Sequence, residues 1–243
     1  MRRFFIDPGN ISKDCATITD QEARHLGTAL RLRPGNVIEL FDGMGMVYQA
    51  EITAIGKSRV ETRILARRCH QDEPPFLSMA QALVKGKKMD LIVQKATELG
   101  ITTLQPIIAQ HCDLKEVPAS QITRWQRIAH EACKQCGRPT PLLCPPALSL
   151  SQLLAEPNEA TARIIFWEGE ATTTLPDLPE LHSADRVLFL IGPEGGFSDQ
   201  EAESAIGQGY RPVSLGPRIL RAETAAIAGI AILQFLLGNL RPR

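Results

Sequence analysis

The sequence has no surplus of charge of either sign, for its 243 residues carry 27 basic and 27 acidic side chains. The total therefore gives no sign of the strongly positive field that marks many nucleic-acid binders, and taken alone it argues against such a partner. A long apolar run is also missing. The most apolar stretch, residues 225–233, spans nine positions, whereas a membrane-spanning helix needs about 20. Near the start, Asp7 and Pro8 interrupt the short apolar run that follows Arg2 and Arg3. No signal-peptide core forms there, so the expected location is cytoplasmic, with no membrane partner. Cys133 and Cys136 form a C-x-x-C, but no second such pair accompanies them. Free, mostly buried thiols are expected in place of a zinc or redox centre, and no metal is expected. Repeats and low-complexity tracts are absent as well. What is present is a 44% hydrophobic, 22% charged composition, which excludes disorder and can bury a core in one large domain or two modest ones.

The balanced total hides an uneven distribution. Residues 1–70 hold 11 Lys and Arg against 8 Asp and Glu, and residues 161–243 hold 7 against 10. Counts of this size also describe an ordinary solvated surface.

The first part of the chain reads as strands, at residues 3–6, 15–19, 37–41, 46–55 and 59–67, with Asp42-Gly43 as a turn. One helix, capped by Asp20 and stopped by Pro34-Gly35, interrupts them. Five short strands and one helix predict a small β-barrel over residues 1–72, closed by a polar, proline-containing stretch. From residue 73 to 243 the pattern changes to alternation. Strands are expected at 76–83, 103–108, 163–166, 186–191 and 212–215. Helices are expected at 87–99, 121–136, from 199 onward and at 222–237, which defines an α/β domain with a parallel sheet.

Ligands of open α/β sheets sit beyond the carboxyl ends of the strands, which points to two loops. Gly192-Pro-Glu-Gly-Gly196 offers unobstructed backbone amides and the carboxylate of Glu194, beside a helix that Ser198 and Glu201 can cap. It matches no dinucleotide or P-loop pattern and has no lysine for phosphates, which disfavours a nucleoside triphosphate. A tight turn that needs its glycines explains it equally well. The second loop runs from Leu215 to Thr224 and sets Arg218, Arg221, Glu223 and Thr224 against the start of an Ala- and Ile-rich helix. Charges entering such a helix are costly unless paired or used, so an Arg221–Glu223 ion pair and a catalytic role stand side by side.

Gly192-Pro-Glu-Gly-Gly-Phe197, the segment from Leu215 to Ala225, Gln94-Lys-Ala-Thr-Glu-Leu-Gly100 and Arg24-His-Leu26 with Leu30-Arg31 together resemble the ribosomal RNA small subunit methyltransferase E family. The match runs in order along essentially the whole chain. This family lies in the SPOUT superfamily of S-adenosyl-L-methionine-dependent methyltransferases and methylates N3 of a uridine of 16S rRNA. The resemblance implies an N-terminal β-barrel of PUA or OB-like type and a C-terminal α/β domain with a trefoil knot. It also implies a homodimer, and a partner in 16S rRNA within the 30S subunit. The small residues of the last helix, Gly229 among them, then have a use in close helix approach, although packing within one chain explains them too.

Carried over by motif, the methyl donor is expected at Trp167 and Glu168, at Leu190, Ile191, Gly192, Pro193, Glu194, Gly195 and Gly196, and at Leu215, Gly216, Ile219 and Leu220. Methylation at N3 requires a proton to leave and negative charge to spread onto the ring carbonyls. Arg221 is expected to stabilise that charge, and Glu223 or Glu194 to accept the proton. Arg2, Arg3, Arg24, His25 and Arg31 of the barrel and Lys85 and Lys88 of the second domain are the expected RNA contacts. One departure is His111, where family members often carry Arg. Two other readings remain, a ribose 2′-O methyltransferase of the same superfamily and a non-catalytic RNA-binding assembly factor.

Overall fold

The structure, a computed structural model, describes residues 1–24, 26, 30, 32–157, 159–169 and 173–240. Its internal contacts divide it into two units. One joins Met1–Asp72 to His130–Pro141, and the other joins Glu73–Ala129 to Leu142–Arg243.

The first unit holds β1 (Arg3–Phe5), β2 (Cys15–Thr19), α1 (Asp20–Arg24), β3 (Val37–Phe41), β4 (Met46–Ile55) and β5 (Arg59–Cys69). The strands form one sheet in the order β1-β3-β4-β5-β2. Alternation of apolar and polar residues puts Phe4, Ile18, Ile38, Leu40, Ile52 and Val60 on one face, where they meet Leu26 in a common core. Two register shifts in the β4–β5 ladder, at Gln49/Ala50 and Ile52/Ala54, bend the sheet around that core. The expected barrel is thus a curled sheet, since no ladder joins its edge strands β1 and β2 among the described residues. The β3–β4 turn is built on Asp42, whose Oδ1 accepts from the Met44 and Met46 N–H groups at 2.8 and 3.0 Å. Of the helix expected from Asp20 to Pro34, α1 is seen, while His25 and Arg31 lie outside the described residues.

The second unit runs through β6 (Phe76–Ala82), α2 (Lys88–Glu98), β7 (Thr103–Ile108), α3 (Ala119–Cys136), β8 (Leu148–Ser149), α4 (Leu150–Ala155), β9 (Ala162–Phe166), β10 (Arg186–Ile191), α5 (Asp199–Gly207), β11 (Arg211–Val213) and α6 (Ala222–Leu236). α3 leaves this unit at its residue Ala129. Six parallel strands lie in the order β11-β9-β10-β6-β7-β8. In β10, Val187 to Ile191 are all buried, as expected of a strand covered on both faces. From β6 the chain builds outward through β7 and β8, then adds β9 and β10 on the other side. β6 and β10 therefore flank the switch point at which α/β sheets take ligands.

Three local differences from the sequence expectation have simple causes. β11 ends at Val213 instead of reaching Leu215, so Ser214 and Leu215 belong to the following loop. β8 and α4 are too short to show periodicity, although the Ser149–Gln152 capping box at the start of α4 is a readable signal. Gly229 of α6 faces its own chain, because a Cβ there would stand 2.9 Å from Phe166 Cε2. Close packing of α6 on β9 therefore accounts for this glycine without a partner helix. No helix among the described residues is long and apolar enough to cross a membrane.

In the first unit, His130 stacks edge-on against Phe5 with ring centroids 4.6 Å apart. Burial first, and then the nearby Lys134 ammonium, push its pKa below the ordinary histidine value, against a smaller opposing effect of Glu131. The folded chain keeps this imidazole neutral, whereas the unfolded chain protonates it below a pH of about 6.5. The contribution to stability is complete above that pH and is lost as the pH falls from there through the lower folded-state value. Urea midpoints measured at pH 7.5 and 5.5 are expected to fall more in the wild type than in His130→Phe. Equal falls in both would contradict this account. Beside it, burial pushes the Cys133 thiol up to about 12, which is unfavourable for thiolate chemistry at the C-x-x-C.

Candidate active site

β9, β10 and β11 end side by side, and the loops that follow them enclose a cavity of about 600 Å3. Phe166, Trp167, Ile191, Leu215, Ile219 and Leu220 supply its apolar walls, and Gly192, Pro193, Gly196 and Gly216 supply open backbone. Glu168 and Arg218 are the charged side chains that line it among the described residues. A volume of this size and a mostly apolar lining with few polar groups suit a cofactor-sized ligand.

Backbone contacts hold the three loops in place. The Trp167 N–H donates to the Val213 carbonyl at 3.2 Å, and the Ser214 N–H donates to the Thr173 carbonyl at 2.9 Å. The Gly216 N–H donates to Ser214 Oγ at 3.2 Å. The glycine loop begins at the switch point, where the fully buried Gln81 of β6 donates through Nε2 to the Ala82 carbonyl at 2.9 Å and towards that of Gly192 at 3.4 Å. Gly196 has φ +68°, which strains any other residue, and a Cβ on it would stand 2.6 Å from Glu168 Oε1, so these two loops touch here and a side chain would displace the carboxylate.

The loop after β7 braces the same segment. His111 Nδ1 lies 3.0 Å from the Gly195 carbonyl and 3.2 Å from that of Gly196. Both partners are acceptors, so Nδ1 carries the hydrogen. Glu201 accepts from the Gln110 N–H at 2.7 Å with one oxygen and from the Ser198 N–H at 3.0 Å with the other. One carboxylate therefore caps α5, as its sequence signature predicts, and ties down the neighbouring loop.

Of the residues expected to meet a methyl donor, Trp167, Glu168, Ile191, Gly192, Pro193, Gly196, Leu215, Gly216, Ile219 and Leu220 come together around the cavity. Leu190 points into the sheet core and is fully buried. Gly195 faces His111, whose Cβ would be 3.1 Å from a Cβ placed there. Glu194 turns away to an ion pair, with Oε1 accepting from Lys88 Nζ at 2.8 Å and from the Lys85 N–H at 3.0 Å. Burial works against its charge, but these donors outweigh it and hold the carboxyl below the usual range. Among the cavity residues missed in the sequence are Phe166, Thr174 and Phe197, and Gln81, which holds the glycine loop, was missed as well. Gln81 was legible as a polar residue inside an apolar strand, whereas Thr174 follows no local pattern.

The Arg221–Glu223 ion pair weighed from the sequence does not form. Glu223 Oε2 lies 3.8 Å from Lys88 Nζ, and Arg221 is exposed at the N-cap of α6 without an ion-pair partner among the described residues. The expected RNA contacts also divide. Arg2 and Arg24 are exposed. Arg3 is turned inward, with Nε 2.6 Å from Glu39 Oε1 and its guanidinium over the Phe41 ring, because the edge of the curled sheet offers it both partners. Lys85 pairs with Asp113, and Lys88 with the two carboxylates just described.

The curled sheet and the parallel sheet with its loop-built cavity each correspond to a known domain family. The RNA methyltransferase domain family matches residues 71–234, and the RNA methyltransferase PUA domain family matches residues 18–65. The chain is therefore an RNA methyltransferase by class. It is 33% identical over 230 residues to ribosomal RNA small subunit methyltransferase E of Buchnera aphidicola subsp. Schizaphis graminum, covering 92% of each chain. It superposes on the protein of that name from Neisseria gonorrhoeae, solved bound to S-adenosyl methionine, with a TM-score of 0.87, 36% identity and coverage of 99% and 100%. A methyltransferase from Legionella pneumophila in complex with the cofactor SAM gives a TM-score of 0.87 at 32% identity, covering 97% of both chains. The chain belongs to the ribosomal RNA small subunit methyltransferase E family.

Proposed function

We propose that this protein transfers a methyl group from S-adenosyl-L-methionine to N3 of a specific uridine of 16S rRNA. The observation that carries the reading is the cavity at the ends of β9, β10 and β11, with Arg221 and Glu223 at the helix start that borders it. The residues present fit the donor. Trp167, Ile191, Leu215, Ile219 and Leu220 suit its ring, the open backbone at Gly192 and Gly216 suits its polar edges, and the Glu168 carboxylate can accept from hydroxyl groups. When bound, the donor supplies an electrophilic methyl on a sulfonium.

The chain's own task is to manage the uracil. Arg221, exposed and without an ion-pair partner among the described residues, is free to stand beside the ring oxygens as negative charge develops there. Glu223 suits the proton, because its Oε2 is buried and has no hydrogen-bond donor among the described residues. Glu194 suits it less, since Lys88 and the Lys85 N–H already occupy its oxygen. Residues 1–72 would hold the RNA, with Arg2 and Arg24 as phosphate contacts, and residues 73–243 would carry the chemistry. The reading further includes a trefoil knot in the second domain, a homodimer, and cytoplasmic action on the 30S subunit.

Undermethylated 30S subunits incubated with the protein and donor are expected to yield 3-methyluridine on nucleoside mapping. Appearance of a 2′-O-methylated nucleoside instead would assign the other SPOUT chemistry. Absence of methylation together with absence of S-adenosylhomocysteine binding would assign the assembly factor.

A further inference from the structure

The sequence places Lys88 with Lys85 among the expected RNA contacts, but the structure gives it other work. Lys88 starts α2, and its ammonium lies between two carboxylates, 2.8 Å from Glu194 Oε1 and 3.8 Å from Glu223 Oε2. Glu194 directly follows Pro193, and Glu223 directly follows Ala222, and both neighbours line the cavity. Three segments distant in sequence thus meet at one positive charge. The Lys85 N–H grips the same Glu194 oxygen at 3.0 Å, so the start of α2 holds the glycine loop through two donors. Lys88 is also the ion-pair partner of Glu223 among the described residues, and Glu223 Oε2 is buried without a hydrogen bond.

We infer that Lys88 is a positioning residue, which fixes the glycine loop against the start of α6 and so sets the width of the donor cavity. Without the ammonium, two partly buried carboxylates would face each other and repel, and the loops that carry them would separate. A lysine already shared by two carboxylates also has little net charge to offer a phosphate. The Lys88 ammonium is favoured in its charged form, chiefly by the hydrogen bond to Glu194, in keeping with this arrangement. The inference rests on reading the cavity as the donor site.

The test is calorimetry with S-adenosylhomocysteine on full-length wild type, Lys88→Gln, Lys88→Arg and Glu194→Gln, with single-turnover methylation and RNA affinity against salt measured in parallel. Lys88→Gln is expected to weaken S-adenosylhomocysteine by about tenfold, the size of a lost charge-assisted hydrogen bond. Its rate at saturating donor should change far less, which is the pattern of lost ground-state binding. Lys88→Arg should recover most of the affinity, and Glu194→Gln should reproduce the loss from the other side of the contact. The combined variant Lys88→Gln/Glu194→Gln should be no weaker than either single one, because the repulsion is then removed.

An unchanged S-adenosylhomocysteine affinity in Lys88→Gln, with the salt slope of RNA binding reduced by about one phosphate contact, would overturn the inference and restore Lys88 to the RNA. If Lys88→Gln fails to fold, Glu194→Gln alone decides, and wild-type affinity there overturns the inference. A wild-type protein that binds no S-adenosylhomocysteine would instead remove the donor-site reading itself, and the inference with it.

Discussion

Gly196→Ala is expected to weaken S-adenosylhomocysteine binding by about 5- to 30-fold, the range that corresponds to the roughly 1–2 kcal/mol cost of a left-handed conformation for an L-residue. Two facts concentrate the effect on the ligand site. The backbone at Gly196 has φ +68°, and the added Cβ would stand 2.6 Å from Glu168 Oε1, far inside contact distance. The carboxylate is the free end of its side chain and can swing aside, but doing so takes it from its place on the cavity wall. The backbone strain is relieved only if the loop itself shifts, which moves the amides that face the cavity.

A second substitution separates the two causes. If the steric contact dominates, Glu168→Ala in the Gly196→Ala background should regain part of the affinity that Gly196→Ala loses. If strain dominates, the two losses should add. Gly207, where an added Cβ would meet nothing within 4 Å and φ is not positive, serves as the control. Its change to Ala should leave binding unaltered. Wild-type affinity in both Gly196→Ala and Gly196→Val would show that this loop does not meet the donor.

Most of the elements were legible because their signals are local. β10 shows as an unbroken apolar run, α5 as a Ser198–Glu201 capping box, and α3 as a helical apolar repeat around Trp125 and Ala129. The cavity was only half legible. Glycines and apolar residues in the loops after β10 and β11 announce themselves by composition, but the partners that fix them come from other strands. Gln81 reaches the Gly192 carbonyl from β6, and His111 reaches Gly195 and Gly196 from the loop after β7. No spacing rule connects residues 81, 111 and 196. The pairing of charges was hidden for the same reason. A run of lysines looks basic, yet at Lys85 and Lys88 carboxylates from distant segments consume the charge, and at Arg3 an inward turn onto Glu39 does so. Local sequence reports which charges exist, and the fold decides which remain available to a partner.

Arg221 is an exposed charge at the start of α6 without an ion-pair partner among the described residues, and its replacement is expected to have the largest effect on the chemical step. In single-turnover methylation at saturating donor, Arg221→Ala should slow the reaction by about 10²- to 10³-fold, the usual consequence of removing one preorganised donor from a developing oxyanion. Affinity for S-adenosylhomocysteine should be nearly unchanged, because Arg221 is not among the residues that line the cavity. Arg221→Lys should fall between the two, since an ammonium keeps the charge but loses the planar fork that can span neighbouring acceptors. A purely structural Arg221 would behave in the opposite way, with a lower melting temperature and an intact rate. The geometry already disfavours that outcome, for the guanidinium caps no helix group with its side chain and the carboxylate it might have paired with lies beside Lys88. Wild-type rates in both Arg221→Ala and Arg221→Lys would eliminate Arg221 as the stabilising cation, and the uracil charge would then have to be met by another donor, such as Arg218 on the cavity wall or the backbone amides of its loops.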